Sequence, residues 1–148
     1  MIVGIATDHN GVEEKKEIIN YLTSLGYEVK DLSVENTPTD DYPTFALAVG
    51  VEVIKKSVDI GILMCGTGIG MSIAANKING IRCAKVSNTD EAFFARSHND
   101  ANIIALSYKT PLEELKNMIK VFLETPFSND ERHVRRISII TQIEGQND

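Results

Sequence analysis

Two cysteines, Cys65 and Cys83, are the whole thiol complement of this 148-residue sequence, and they show no CxxC spacing. That excludes a disulfide scaffold, a redox pair and a zinc knuckle, and it predicts two free thiols. HxxxH and clustered Cys/His spacings are missing as well, so neither a metal nor a cofactor is expected. No apolar run approaches the roughly 20 residues that span a bilayer, and Met1 leads directly into Ile2-Val3-Gly4-Ile5-Ala6 rather than into a charged leader. The expected protein is cytoplasmic, with no membrane partner. Basic residues are in the minority, 15 Lys and Arg against 21 Asp and Glu, for a net charge of -6. A broad nucleic-acid surface needs many cations to neutralise phosphates, so nucleic acid is excluded as a partner. An anionic ligand must instead meet a local cluster of positive charge. Repeats, low-complexity tracts and linkers are also lacking, and the length suits one compact domain over residues 1–148.

What is present is an alternation of short apolar runs with longer segments of helical spacing, the pattern of βα units and a parallel sheet. Five strands are expected, at 2–6, 27–32, 58–64, 81–86 and 102–107, rich in β-branched and aliphatic residues as strands covered on both faces should be. Residues 13–25 place Ile18, Ile19, Leu22 and Leu25 on one helix face and stop at Gly26. Pro43 opens the next helix. Thr110-Pro111 with Glu113 reads as a capping box with proline at the first helical position, and Ser128 with Glu131 repeats the box before a terminal helix that is basic first and apolar later.

Open α/β sheets bind ligands outside the carboxyl ends of their strands, where loops enter helices with unpaired N–H groups. Three stretches draw attention on that rule: Thr7-Asp8-His9-Asn10-Gly11, Cys65-Gly66-Thr67-Gly68-Ile69-Gly70, and His98-Asn99-Asp100. Most free cysteines are small core residues. Cys65, however, ends a buried run and faces the start of a helix, whose partial positive charge favours a thiolate able to act as base or nucleophile. Cys83, mid-strand, keeps the core reading. Gly66, Gly68 and Gly70 let backbone N–H groups approach an oxyanion or phosphate. The turn follows the third strand rather than the first, which argues against a dinucleotide fingerprint. His9 and His98, each beside polar neighbours, are the expected proton-transfer or ligand groups, since histidine titrates near neutrality; His133 is ambiguous. Arg132 and Arg136 are four apart, so on a helix they share a face that could hold a phosphate or simply be solvated.

The motifs Asp8-His9, Asp41-Tyr42-Pro43, Cys65 to Gly70, Ala74-Ala75-Asn76-Lys77, Gly80-Ile81-Arg82, His98-Asn99-Asp100-Ala101-Asn102 and Arg132-His133 together make the sequence resemble the type B ribose-5-phosphate isomerases, which form one superfamily with the galactose-6-phosphate isomerase subunits. The matches run in order from residue 8 to 136. The resemblance implies a Rossmann-like, three-layer α/β fold with a five-stranded parallel sheet and a C-terminal helix. It also implies a homodimer, or a dimer of dimers, with active sites at the interface, and metal-free aldose-ketose isomerisation of a phosphorylated sugar. Cys65 would be the base and His98 would open the ring, with Asp8 and Thr67 assisting proton traffic. The backbone from Gly66 to Gly70 would stabilise the enediolate, His9, Arg132 and Arg136 would hold the phosphate, and Asn99 a sugar oxygen. Some relatives use a carboxylate just after the glycine turn, where this chain has Met71. Ser107-Tyr108-Lys109 stands where many relatives have a glycine and, at the ligand-binding third position, an arginine; Lys109 keeps the charge without the planar fork.

The leading expectation is interconversion of ribose 5-phosphate and ribulose 5-phosphate. Allose 6-phosphate or galactose 6-phosphate is the alternative substrate, although galactose-6-phosphate isomerases divide their catalytic groups between two different subunits. A non-catalytic binding or signalling module is the remaining alternative, because one fold hosts many functions. A phospho-receiver module would place an aspartate at the third strand end, where this chain has Cys65.

Overall fold

A computed structural model of the chain describes residues 1–146. Five strands, β1 (Ile2–Thr7), β2 (Glu28–Asp31), β3 (Ile60–Cys65), β4 (Cys83–Lys85) and β5 (Ile103–Ser107), alternate with helices α1 (Val12–Ser24), α2 (Tyr42–Ile54), α3 (Ile69–Ala75), α4 (Thr89–Ser97), α5 (Leu112–Glu124) and α6 (Glu131–Gln146). All strand pairs are parallel, in the order β2-β1-β3-β5-β4. The α/β expectation holds, and every expected strand lies within a few residues of an observed one.

Strand alternation sorts the core into two layers. Val3 and Ile5 of β1, Ile62 and Met64 of β3, and Ile104 and Leu106 of β5 pack with Ile18 and Leu22 of α1, Ala92 and Ala95 of α4, and Leu115, Ile119 and Phe122 of α5. On the other face Ala6, Leu63, Cys65, Ile103 and Ala105 meet Phe45, Ala46 and Val49 of α2 and Met71 and Ala75 of α3. Right-handed crossovers require this sorting: β1 to β2 and β4 to β5 step one way along the sheet, β2 to β3 and β3 to β4 the other. Cys65 therefore faces α3, the helix its own turn begins.

Two helix starts differ from the sequence reading. Pro111, with φ -52° and ψ 138°, is the N-cap of α5 rather than its first helical residue, and no side chain caps that helix. Ser128 does not cap α6 either. Its Oγ accepts from Asp130 N–H at 3.2 Å and is hydrogen-bonded to His133 Nδ1 at 2.8 Å, while Asp130 O receives the first helical N–H groups, of His133 and Val134. A side-chain cap does form at α4, where Asn88 Oδ1 accepts from Glu91 N–H at 2.8 Å, and Glu91 Oε1 accepts at 2.6 Å from the N–H of Ser87, the residue before the cap. β4 starts at Cys83, later than expected: Asn102 Oδ1 takes the N–H of Arg82 just before the strand, and Asn76 takes the backbone N–H and C=O of Cys83 at its start. No helix among the described residues is long and apolar enough to cross a membrane.

Candidate active site

The carboxyl edge of the sheet carries the first set of candidate residues. Cys65, 4% exposed, ends β3, and Gly68 N–H donates to its Sγ at 3.2 Å. Gly68 has φ +79°, and a side chain there would press on the backbone of Ala105 and Leu106. Only glycine gives this turn. Thr67 is exposed, and its Oγ1 accepts from Ile69 N–H at 3.1 Å. The first N–H groups of α3 have no intrahelical acceptor and open onto the same turn. Gly70 has a second reason to lack a side chain: the ring of Tyr42 lies where its Cβ would be. Ser107 Oγ donates to Gly66 O at 2.7 Å and Tyr108 N–H to Cys65 O at 3.2 Å, so β5 braces the turn from its other side. Lys109, exposed, follows directly. Met71 is fully buried and cannot stand in for a catalytic carboxylate.

The β1 exit faces this turn. Asp8 Oδ1 accepts from Asn10 N–H at 3.0 Å, which tightens the loop into α1. His9 Nδ1 donates to Asp40 Oδ1 at 2.8 Å, and its own backbone N–H reaches the same oxygen at 3.1 Å. Burial alone would raise the Asp40 carboxyl, but hydrogen bonds from Asn36, His9 and Thr37 outweigh it and hold the group down to about 2. Tyr108, flagged by the sequence only as a departure from relatives, is part of this surface. Its hydroxyl lies 3.6 Å from the position of a Cβ on Gly66, and its titration is pushed up by burial first and then by the charge of Asp8.

The second set sits elsewhere. His98 caps the carboxyl end of α4, and α4 runs back from the end of β4 to the start of β5. His98 and Asn99 therefore lie at the amino edge of the sheet, which corrects the expectation that they join Cys65 at the carboxyl edge. With strands of five or six residues, the two edges stand roughly 16 to 20 Å apart. Arg82 holds the loop by donating to the carbonyls of Asn99 and Asp100, each at 2.9 Å. Asp100, at φ +44°, accepts from Arg96 at 2.9 Å.

His133 joins this second set. Its ring stacks on His98 with centroids 4.3 Å apart, and His98 stacks in turn on Phe94 at 4.8 Å. Burial, then the charges of His98, Arg132 and Arg136, lower the titration of His133, with Asp130 opposing, so it stays neutral more readily than an open imidazole. Arg132 and Arg136 extend from the exposed start of α6 beside it. Among the described residues no group of three His, Cys, Asp or Glu side chains is placed to hold a metal. A groove of about 1210 Å³ lined by Ile54, Ile78, Arg82, Asn99 and Ile143 also lies on this side, away from Cys65.

Comparison with known proteins now decides the family. The ribose/galactose isomerase family profile matches residues 3–140. The chain belongs to that family. A Rickettsia conorii protein with a provisional sugar phosphate isomerase name is 47% identical over 137 residues, covering 92% of this chain and 94% of the relative. The structure of Clostridium thermocellum ribose-5-phosphate isomerase B superposes with a TM-score of 0.96 at 40% identity, covering all of both chains. That of the Mycoplasma genitalium enzyme, with bound ribulose 5-phosphate, gives 0.92 at 39%, covering 97% of this chain and 96% of the other. As a family member the chain is an aldose-ketose isomerase of the ribose-5-phosphate isomerase B kind.

Several motif residues of the family prove to be scaffold. Asn76, Arg82, Asp100 and Asn102 are engaged in backbone and ion-pair bonds at the amino edge, and Tyr42 packs on Gly70. Asp40, adjacent to the Asp41-Tyr42-Pro43 motif, was missed. Its bond to His9 depends on how residues 32–41 cross the β1 exit, and no periodic pattern announces it.

Proposed function

We propose that this isomerase interconverts ribose 5-phosphate and ribulose 5-phosphate with Cys65 as the base. The observation carrying the reading is the thiol at the end of β3, held against the glycine turn by the Gly68 N–H. The thiolate takes the proton from C2 of the open-chain aldose, and the freed electron pair makes the C1–C2 double bond and charges O1. Backbone N–H groups of the turn meet that oxyanion. O1 gains a proton, O2 gives one up, and the thiol returns its proton to C1, leaving a ketone at C2. Asp8 and Thr67, on the two loops that face each other, handle the oxygen-bound protons. Lys109 contacts a sugar or phosphate oxygen.

The remaining groups, His98 for ring opening, Asn99 for a sugar oxygen, and Arg132 and Arg136 for the phosphate, lie on the opposite edge of the same chain. A second copy supplies them. Its amino edge meets the carboxyl edge of the first, and His9 shares the phosphate with the partner's arginines. Support comes from α6, whose Val134, Ile139, Ile140 and Ile143 are 40% to 51% exposed in the single chain. The ribulose 5-phosphate in the Mycoplasma genitalium enzyme supports the pentose substrate. The test is steady-state turnover of ribose 5-phosphate by purified protein, in chelator, beside allose 6-phosphate and galactose 6-phosphate. The highest kcat/KM is expected for the pentose; a higher value for a hexose phosphate overturns the substrate and leaves the chemistry.

A further inference from the structure

We infer that Asp40 is a positioning residue for phosphate recognition, fixing the ring of His9 so that its Nε2 is the nitrogen presented to the ligand. The inference rests on the isomerase reading above for the identity of the ligand, and on geometry for everything else. Asp40 Oδ1 accepts from His9 N–H at 3.1 Å and from His9 Nδ1–H at 2.8 Å. Its other oxygen accepts from Asn36 Nδ2 at 3.0 Å and from Thr37 N–H at 3.1 Å. Four donors leave the carboxylate no freedom to turn. The segment bearing it is itself fastened to β1: Asn36 Nδ2 also donates to Thr7 O at 3.0 Å, and Ser33 Oγ accepts from Thr7 N–H at 3.1 Å. Ser33 is secured from below by the buried Lys15, whose Nζ reaches Ser33 O at 2.8 Å and Asp31 Oδ1 at 3.0 Å.

The consequence is chemical. A carboxylate on Nδ1 fixes the tautomer of a histidine and leaves the opposite nitrogen for the ligand. Here Nε2 has no hydrogen-bond partner among the described residues, while the His9 side chain is 33% exposed and that of Asp40 11%. When the ring carries both protons, the Nε2–H so aimed donates to a phosphate oxygen as a charge-assisted bond, while Nδ1–H stays on Asp40.

The test is Asp40→Asn, with His9→Gln and the double variant. NMR of the imidazole nitrogens, independent of turnover, should find neutral His9 as the Nδ1–H tautomer in the parent protein and shifted towards Nε2–H in Asp40→Asn. Affinity for inorganic phosphate should fall about tenfold, the KM for ribose 5-phosphate should rise to match, and kcat should stay within about twofold. In the His9→Gln background Asp40→Asn should add nothing further. An Nε2–H tautomer in the parent, additive effects in the double variant, or unchanged phosphate affinity would each overturn the inference. A protein that binds phosphate in this Asp40-dependent way but turns over no ribose 5-phosphate upholds it and removes the pentose assignment instead.

Discussion

The two edges of the sheet carry different motifs of one family, in different states of completion. At the carboxyl edge the chain closes on itself: Cys65 Sγ, Gly66 O, Thr67 Oγ1, Asp8 and His9 each have a hydrogen-bond partner within the chain, and β5 braces the glycine turn. At the amino edge the backbone of the His98 loop is equally well braced by Arg82 and Asp100, but the side chains of Asn99, Arg132 and Arg136 make no hydrogen bond or ion pair among the described residues. Asn99 is exposed, as are the arginines, and Phe93 and Phe94 leave nearly half their surface open. Local bonding finishes a site that is used where it stands. A surface with a rigid backbone, uncovered aromatics and uncommitted cations suits a site finished by association.

The largest effect that bears on this comparison is loss of the proposed base. Cys65→Ala should lower kcat/KM about a thousandfold or more while circular dichroism and the unfolding transition keep their native form, because the group removed is one buried thiol. A variant with near-normal turnover would move the base away from the carboxyl edge altogether.

Next comes subunit mixing, which addresses both edges at once. Cys65→Ala and His98→Asn proteins should each be inactive. After unfolding and refolding together, random pairing makes half the dimers mixed, and each mixed dimer has one intact site of two, so about a quarter of parental activity should return. Verified mixed dimers without activity would show that Cys65 and His98 do not share a site across the interface.

Arg136→Ala should have an intermediate effect. A charge-assisted bond to phosphate is worth about 1.5–3 kcal/mol, so KM should rise roughly ten- to a hundredfold with a smaller change in kcat. An unchanged KM would leave the amino edge without its phosphate role.

How much of this was legible beforehand follows the same division. The carboxyl edge could be read because it is local: an apolar β-branched run ending in Cys65, followed by three alternating glycines, specifies strand, turn and helix start within about 15 residues. The amino edge could not be placed by the same means. The sequence order of the motifs is silent on which edge each occupies, and only the return of α4 and the order β2-β1-β3-β5-β4 separate His98 from Cys65. Helix starts failed for a related reason. Ser128-x-x-Glu131 and Asn88-x-x-Glu91 look alike in sequence, but Ser128 is engaged by His133 while Asn88 is left to cap. The Asp40–His9 bond spans 31 residues and belongs to a loop path, which residue type alone does not encode.

The smallest predicted effect concerns the thiol that neither edge uses. Cys83 opens β4, the edge strand of the sheet, rather than sitting mid-strand as the sequence suggested, and burial pushes its thiol up to about 12 against a hydrogen bond from Ser72 that acts in the other direction. A thiol held that high is overwhelmingly protonated at pH 8, so little of the reactive thiolate is present there. Iodoacetamide at pH 8 should therefore leave Cys83 unlabelled in the folded protein and label it after denaturation, as read by peptide mass, with any loss of activity tracking modification of Cys65. Cys83→Ala should keep kcat/KM within about twofold. A native-state label on Cys83 accompanied by inactivation would mean that the start of β4 takes part in function, and the division between scaffold and reactive groups would have to be redrawn.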